Sequence, residues 1–579
     1  MTTTDTKAPT GASDPDEGGG PPPRPPYRYR AFTGLVHHGG QVVPDADFQA
    51  AGGRVDVTPV SAALPGDDAP ATTDFVYLFP GAERLPEDNP VAVVTALRAL
   101  GSAMIEDSDT NTEDSDIPAI YTYFGQFIDH DLTLNTNTNF PGIDITEPVP
   151  AAPDFVTGTL ENLREPALNL DSVYGIGPTD PVVPYIGGLR LDLGPCVDAG
   201  AGRPLDKIPG VPCGPGSAVG EPDRRDLPRV NKKARIGDPR NDENLIVAQL
   251  HVAFLLAHNA IVDRLQDAGQ PQNTLLSEAQ RILRWTYQWL VRNDFLVKLV
   301  DTESISAVSD PKFFTQDRLC MPLEFATAAF RFGHSMVRGS YDWNRNFGRA
   351  DGDPNDETRS PFDLLFAFTG GGKLGLDVTG FDADQLPDNW PAEWDRLVGG
   401  DGAPKDQMAR RIDTNLALPL DSMSNEGNDQ PDAIKDMLKR LAVRNLLRGY
   451  KLAMPTGQAV AAAYEVEVLT PDEILAGPPA PGRLVRHALL DGDFLESTPL
   501  WFYILREAEV RRGGNGLGPV GGRIVAETLI GELKKDPASY LSVDEDWSPA
   551  QEPIFSGANP FQITEIADLL RLAGVLAPR

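Results

Sequence analysis

The stretch Tyr123–Leu134, with the sequence YFGQFIDHDLTL, sets polar side chains of several kinds among aromatic and aliphatic ones. On a helix, Gln126, Asp129 and His130 share a face because they are three or four residues apart, whereas Asp131 points about 100° away from His130. Polar groups among buried aromatic residues need partners or a cofactor, since unpaired burial is costly. The pattern therefore predicts a helix with a reactive face and a separate carboxylate. Taken alone, such a pattern is more often a structural feature.

Three further segments carry unusual polar residues: GDPRNDE at 237–243, RFGH at 331–334 and RNLLRG at 444–449. Each has an ordinary explanation by itself. A lone His334 on an apolar helical face is usually a hydrogen-bonded core residue, and Arg240 in a polar turn usually forms a surface ion pair of small energetic value. The order and the types of the four segments carry more information than any one of them.

Composition restricts the classes of partner. The chain has 51 basic and 84 acidic residues, a net charge of −33. Nucleic acid and anionic lipid both require clustered basic residues, so this balance argues against them. The three cysteines, Cys196, Cys213 and Cys320, exclude a disulfide-stapled module, although a single bridge between Cys196 and Cys213 stays open. No cysteine and histidine spacing typical of a zinc site is present.

The N-terminal residues 1–26 are rich in proline and glycine and contain no apolar segment of the kind found in signal peptides. This composition predicts a disordered tail, followed by one domain over residues 27–579 with a core at about 75–545. No apolar run reaches the ~18 residues expected of a membrane-spanning helix. We therefore expect a soluble protein without membrane insertion, either cytoplasmic or exported without a recognisable signal peptide.

Apolar residues at helical spacing predict a mainly α-helical fold, and convincing alternating strands are scarce. The aromatic residues at helical spacing in the third of these helices indicate core packing. The predicted helices are Val91–Ile105, 244–267, 278–300, one that begins near Pro322 and carries His334, and one from Pro431 through Leu447.

Together, the four segments resemble the animal-type haem peroxidases of the peroxidase–cyclooxygenase superfamily, and in particular a bacterial member of that family. The resemblance extends from about residue 75 to 545 and includes LDSVYG at 170–175, AHNAIVDRL at 257–265 and LGPVGGRIVAE at 517–527. It implies one large, mainly α-helical haem peroxidase domain with long irregular loops. The haem is expected between a distal and a proximal helix.

The resemblance assigns roles at matching positions. His334 corresponds to the proximal ligand of the haem iron, and Asn445 to the asparagine that holds the other ring nitrogen of that ligand. His130 corresponds to the distal base and Arg240 to the distal arginine, which together drive cleavage of the O–O bond of hydrogen peroxide. Gln126 corresponds to the residue that orients a distal water or halide.

Two carboxylates, Asp129 and Glu243, match residues that form ester bonds to haem methyl groups in relatives; the alternative is that they are ordinary hydrogen-bond partners. The implied cofactor is haem b or an ester-linked haem derivative. Asn244 stands where relatives have a methionine, so a third covalent link cannot form. Because that link accompanies a very oxidising haem in the family, we expect bromide, iodide, thiocyanate or phenols as donors, rather than chloride.

Arg331 stands where cyclooxygenases and fatty-acid dioxygenases have their radical tyrosine. A guanidinium group cannot relay an electron, so this position favours peroxidase chemistry. Arg331 and Arg448 are predicted to pair with haem propionates. Two alternatives stay open: a fatty-acid dioxygenase that uses another tyrosine, and a catalytically idle haem-fold protein that serves adhesion or assembly.

Calcium is a possible second cofactor. Asp131 matches the calcium-binding aspartate of the family, and alignment on VYG places Asn169 and Asp171 where further oxygen ligands are expected. Glu165 stands where relatives have threonine, and several members lack the site.

Overall fold

The computed structural model describes most of the chain. The described residues are 35–37, 41–43, 73–106, 114–134, 149–197, 224–315, 318–344, 346–348, 359–370, 385–400, 403–423, 432–477, 481–556 and 560–579. The tail predicted for residues 1–26 lies outside the described residues. Cys213 does so as well, and with it the possible bridge to Cys196.

The fold is mainly α-helical, which confirms the predicted class. In chain order, the α-helices of the described residues are α1 (Pro90–Ala103), α2 (Ile120–Leu132), α3 (Pro153–Thr159), α4 (Asp171–Tyr174), α5 (Leu245–Asp267), α6 (Leu275–Leu290), α7 (Leu296–Leu299), α8 (Thr302–Ala307), α9 (Leu323–Thr327), α10 (Asp432–Lys439), α11 (Leu441–Lys451), α12 (Gly457–Ala463), α13 (Pro471–Ile474), α14 (Pro481–Asp491), α15 (Leu500–Arg512), α16 (Pro519–Lys535), α17 (Tyr540–Val543), α18 (Pro553–Ser556) and α19 (Ile566–Leu572). Short 3₁₀ segments include Pro239–Asp242 and Ala329–His334.

The strands are short and form small separate sheets of two or three strands. In chain order, they are β1 (Leu35–His37), β2 (Gln41–Val43), β3 (Thr73–Val76), β4 (Asp114–Pro118), β5 (Glu161–Asn162), β6 (Tyr185–Ile186), β7 (Arg190–Leu191), β8 (Arg229–Val230), β9 (Lys233–Ala234), β10 (Met321–Pro322), β11 (Ser340–Tyr341), β12 (Ser360–Pro361) and β13 (Met408–Arg410). The pairs β1–β2, β4–β13, β6–β7, β8–β9 and β11–β12 are antiparallel, and β3 pairs antiparallel with β5 and parallel with β10.

Helix α2 carries most of the stretch Tyr123–Leu134, and its apolar side is fully buried. The ring of Phe127 stacks on Phe254 of α5 at 4.6 Å between centroids and meets Tyr287 of α6 edge-on at 6.0 Å. Aromatic pairs in these arrangements add to the free energy gained from buried area. The packing fixes the rotation of α2.

Helix α5 is long and apolar enough to cross a membrane by length and composition, and it is the one such candidate among the described residues. Most of it is buried inside the protein. The sequence shows no uninterrupted apolar run of this length because Gln249, His251 and His258 interrupt the run, although they do not interrupt the helix. Burial by its neighbours identifies α5 as a core helix.

Two predicted helices are broken. The helix predicted from Pro322 through His334 ends at Thr327, because Ala328 leaves helical geometry (φ −126°, ψ −65°), and the segment Ala329–His334 continues as a 3₁₀ turn. The rings of Phe325 and Phe330 stack across this break at 4.4 Å. Likewise, Arg440 (φ −94°, ψ 98°) separates α10 from α11. Apolar spacing does not reveal such breaks, since the packing that causes them is tertiary.

The helix predicted over 278–300 is continuous but contains a π turn, Val291–Phe295, between α6 and α7. Asp294 in this turn accepts a hydrogen bond from the Tyr121 hydroxyl (2.6 Å) through Oδ1 and one from the Ile566 backbone N–H (2.8 Å) through Oδ2. Tyr121 lies on α2 and Ile566 begins α19. A single carboxylate thus joins the π turn to two distant parts of the chain.

A buried ion cluster connects the strand before α2 to the chain that follows His334. Asp114 of β4 accepts hydrogen bonds from Arg338 (Nη1–Oδ1 2.5 Å) and Arg410 (Nη1–Oδ1 3.1 Å). Arg410 also pairs with Glu106. All four side chains are at most 5% exposed. Because buried charges are stable only when they are paired, the cluster constrains the spacing of the two segments.

Asp114→Asn keeps the shape of the side chain but removes the charge that compensates Arg338. We expect the free energy of unfolding to fall by about 3–5 kcal/mol, as when one partner of a buried ion pair is removed. Urea denaturation followed by circular dichroism measures this change. Asp74→Asn is the control: Asp74 pairs with Arg318 near the surface, and such pairs contribute ~0–1 kcal/mol. Equal losses in both variants would contradict a special role for the buried cluster.

Candidate active site

A cavity with about 890 Å³ of empty space, which includes space open to solvent, lies between α2 and the 3₁₀ segment Ala329–His334. Three of the four sequence segments contribute to its wall. The predicted site residues that line it are Gln126, Asp129, His130, Arg240, Glu243, Arg331 and His334.

His130 is 4% exposed and is held by its Nδ1 atom, which lies 2.8 Å from Asn241 Oδ1. Burial lowers the pKa of His130 to about 4, and the charge of Arg240 acts in the same direction. The carboxylates of Asp238, Glu243 and Asp129 oppose this shift. At neutral pH the imidazole is therefore uncharged and can accept a proton.

Arg240 is fixed beside His130 by two contacts. Its Nη2 atom donates to the backbone carbonyl of His130 (2.8 Å) and to Asp238 Oδ2 (2.7 Å). Asp238 also accepts from the backbone N–H of Arg240 (2.9 Å) and pairs with Arg164. Burial opposes ionisation of Asp238, but the two guanidinium groups hold its pKa far below the usual range. Asp238 is a site residue that the sequence does not predict, although it lies within GDPRNDE.

The side chain of Gln126 is clamped from both ends. Asn244 Nδ2 donates to Gln126 Oε1 (2.9 Å), and Gln126 Nε2 donates to Glu243 Oε2 (3.2 Å). Asn244 also caps α5, since its Oδ1 accepts from the Val247 N–H (3.1 Å). Glu243 Oε2 lies 4.0 Å from His130 Nε2. Asn244 therefore orients Gln126, a role that its position in the sequence does not reveal.

Asp129 is held as an anion at the edge of the cavity. Its Oδ2 accepts from Arg331 Nη1 (3.2 Å) and its Oδ1 from the Thr133 hydroxyl (2.9 Å). Burial raises the pKa of Asp129, but the positive charge of Arg331 together with its other neighbours outweighs burial and keeps the pKa below the usual range. Burial, followed by the charges of Arg331 and Arg444, lowers the pKa of Arg448 to about 9. This concentration of guanidinium groups favours an anionic ligand.

On the opposite wall, His334 Nδ1 lies 2.8 Å from Asn445 Nδ2. Rotation of the amide by 180° places Oδ1 at the same point, where it accepts from an Nδ1–H group. Nε2 of His334 is then the nitrogen that can bind a metal. Asn445 itself also borders a smaller pocket behind His334, with Trp501. The fourth sequence segment therefore supports the wall from behind.

Asp131 points away from the cavity, as helical spacing predicts. Burial and the nearby Asp171 raise its pKa well above the usual range. Asn169 Oδ1 accepts from the Asp171 N–H (2.9 Å), and Asp171 Oδ1 pairs with Arg164 Nη1 (3.0 Å). The three predicted calcium ligands thus lie together in one region. Within the described ranges, no group of three or more histidine, cysteine or acidic side chains forms a metal site.

A central segment of the chain matches a known family. Residues 217–366 match the animal haem peroxidase family. That segment includes Arg240, Glu243 and His334, three residues of the cavity wall. A peroxidase-like protein of Margaritifera margaritifera is 33% identical over 125 residues, and the peroxidasin homolog pxn-2 of Caenorhabditis elegans is 27% identical over 190 residues. These matches support the animal haem peroxidase family and an oxidoreductase.

The matched segments cover limited parts of each chain. They span 20% and 31% of this chain, and 16% and 13% of the two relatives. Solved structures are similar over more of the chain. Peroxidase A from Dictyostelium discoideum gives a TM-score of 0.55 at 15% identity, over 88% of this chain and 94% of that one. A fatty acid alpha-dioxygenase of Oryza sativa gives 0.52 at 12% identity, over 85% and 78%. At these identities the likeness shows the all-α haem peroxidase fold alone.

Proposed function

We propose that this chain is a haem peroxidase that reduces hydrogen peroxide and oxidises small donors. One observation carries the proposal: His130 and His334 lie on opposite walls of one cavity, and each ring is held at Nδ1 by an asparagine side chain. A ring held at Nδ1 directs Nε2 toward the cavity. The pair therefore suits a planar cofactor, with a metal ligand on one side and a proton acceptor on the other.

The residues present fit haem. His334 would bind the iron through Nε2, with Asn445 holding the opposite ring nitrogen. Arg331 and Arg448 would pair with the two propionates, in keeping with the positive charge concentrated beside Asp129. Haem b or an ester-linked derivative supplies the redox-active iron. We also propose that the domain extends over residues 27–579.

The distal side chains would handle the protons of the substrate. His130, uncharged at neutral pH, takes a proton from hydrogen peroxide at Nε2 and returns it to the leaving oxygen; general acid–base groups of this kind contribute about 10²–10⁴-fold. Arg240, held by Asp238, stabilises the negative charge that develops as the O–O bond breaks. Gln126, clamped by Asn244 and Glu243, orients a water molecule or a halide.

Optical spectroscopy of the purified protein tests this function. We expect a Soret band that shifts within seconds of adding a few equivalents of hydrogen peroxide. Bromide, iodide, thiocyanate or a phenol should return the Soret band to its initial position, whereas chloride should do so weakly or not at all. The reason is that Asn244 cannot form the third covalent link to the haem, which accompanies a very oxidising haem in the family. Rapid chlorination of a trap substrate would contradict the predicted donor range.

His130→Ala is the decisive variant of that experiment. It should bind haem normally but lose about 10²–10⁴-fold in the rate of the peroxide reaction. His487→Ala, at an exposed position of α14, should leave the rate unchanged. Equal rates of the peroxide reaction in the wild type and in both variants would favour the alternative of a catalytically idle haem-fold protein.

We propose that Asp129 and Glu243 form ester bonds to haem methyl groups. Each bond replaces a methyl hydrogen in a two-electron oxidation, for which hydrogen peroxide is the oxidant and is reduced to water. Both carboxylates line the cavity, and Arg331 and Thr133 keep Asp129 ionised. Acidified acetone removes haem that is held only by coordination, so we expect the haem to stay with the polypeptide. The double variant Asp129→Asn with Glu243→Gln should release it. Complete release from the wild type would make both residues ordinary hydrogen-bond partners.

Calcium is proposed at Asp131, Asn169 and Asp171. Asp131 Oδ1 is buried without a hydrogen-bond partner in the structure, which suits a cation ligand. Arg164 already supplies one positive charge to Asp171. After dialysis against calcium-free buffer, elemental analysis should find calcium in the wild type and little in Asp131→Ala. The same low content in both proteins would show that Arg164 alone balances the carboxylates.

A fatty-acid dioxygenase is the second candidate. Tyr121 and Tyr123 line the cavity, so a tyrosine other than the one replaced by Arg331 is available. Oxygen uptake with an unsaturated fatty acid would favour this activity over the peroxidase. The bacterial subgroup, and a cytoplasmic or exported location, stay predictions.

A further inference from the structure

We propose that Asn241 and His251 act as positioning residues that fix the tautomer of His130. The inference deepens the proposed peroxidase function and rests on it. His130 Nδ1 lies 2.8 Å from Asn241 Oδ1, and Asn241 Nδ2 lies 3.0 Å from His251 Nδ1. All three side chains are at most 4% exposed. They form a continuous chain from the cavity wall into the core.

A carboxamide joins two imidazoles only in complementary states, because one of its ends accepts and the other donates a hydrogen bond. With Oδ1 of Asn241 toward His130, the His130 ring carries its proton on Nδ1. With Nδ2 toward His251, the Nδ1 atom of His251 is a bare acceptor and its proton is on Nε2. Rotation of the amide reverses both rings at once. The tautomers of the two histidines are therefore coupled.

The surroundings of His251 keep it uncharged, which the coupling requires. The residue is fully buried on α5, and its ring meets Phe127 edge-on at 6.2 Å between centroids. Burial lowers the pKa of His251 to about 3, against a weak opposing effect of Asp238. Nε2 of His251 has no hydrogen-bond partner in the structure. A buried polar atom without a partner reduces stability, so packing alone does not account for a histidine here.

The position of Asn241 is itself well defined. It lies in the 3₁₀ segment Pro239–Asp242, directly after Arg240, and its backbone N–H donates to the Asp238 carbonyl (3.0 Å). The turn that aims Arg240 into the cavity therefore also aims Asn241 at the back of His130. One short segment supplies both the distal cation and the group that orients the distal base.

The tautomer determines whether His130 can act. With the proton on Nδ1, the lone pair of Nε2 faces the cavity, where Glu243 Oε2 lies 4.0 Å away, and can accept a proton from hydrogen peroxide. In the reverse tautomer Nε2 already carries a proton and cannot. His251 fixes the orientation of the Asn241 amide, and Asn241 thus selects the reactive tautomer of His130.

Nitrogen-15 NMR of histidine-labelled protein reads the tautomers directly. The carbon-monoxide complex of the ferrous holoprotein is diamagnetic, and the chain has only seven histidines. Signals are assigned with His130→Gln and His251→Gln. We expect the proton of His130 on Nδ1 and that of His251 on Nε2. The opposite pattern in the wild type would overturn the proposal, and this measurement requires no altered Asn241.

Two matched variants separate positioning from general structure. Asn241→Asp still accepts from His130 Nδ1–H but also requires a proton from His251, so His251 should switch to Nδ1–H while the peroxide rate stays within about 3-fold of the wild type. Asn241→Leu fills similar space without an acceptor. It should lower the peroxide rate by about 10- to 100-fold at unchanged haem content, as loss of a group that orients a reactive residue does.

The outcomes are distinct. An unchanged peroxide rate and unchanged tautomers in Asn241→Leu would refute the positioning role of Asn241 and His251. An equal loss of the peroxide rate in both Asn241 variants, with His130 signals like those of the wild type, would refute it as well. A wild type that binds haem but does not react with peroxide would refute the proposed peroxidase function. In that case, the tautomer signals of His130 and His251 would still show whether Asn241 and His251 fix the tautomer of His130.

Discussion

The distance between the two walls of the cavity depends on buried charge. Asp114 precedes helix α2, and Arg338 follows His334, so their ion pair joins the segment that carries His130 to the segment that carries His334. Arg410 shares the same carboxylate. Without this link, the two segments would be joined mainly by apolar contacts and by the Asp129–Arg331 pair at the cavity. Apolar contacts specify spacing less strictly than paired charges do.

A second set of charges connects the cavity to the region of Asp131. Arg164 pairs with Asp171 on one side and with Asp238 on the other, and Asp238 in turn holds Arg240. One buried guanidinium therefore contacts both the region of Asp131 and the aspartate that holds Arg240. A continuous chain of ion pairs runs from Asp171 through Arg164 and Asp238 to Arg240.

Much of this arrangement follows from the sequence. Helical spacing places Gln126, Asp129 and His130 on one face and Asp131 on another, because a buried helix leaves little freedom of rotation. The family resemblance adds the order of the segments. The break at Ala328 leaves no mark in the apolar spacing. The clamp on Gln126 could not be predicted because Asn244 lies 118 residues away in the chain.

The same limit applies to the link between His130 and Asn241, which are 111 residues apart. In the sequence, an asparagine next to Arg240 is typical of an ordinary turn, and His251 only interrupts the apolar residues of a helix. Only the folded chain shows that these two positions meet behind His130.

The π turn has a consequence for the far end of the chain. Because Asp294 holds both the Tyr121 hydroxyl and the backbone of Ile566, helix α19 is tied to a tyrosine that lines the cavity. The Asp294 carboxylate therefore helps to hold both the ring of Tyr121 and the start of α19. A fusion tag or proteolytic cut that displaces α19 would therefore alter the cavity wall, even though α19 itself contributes no residue to it.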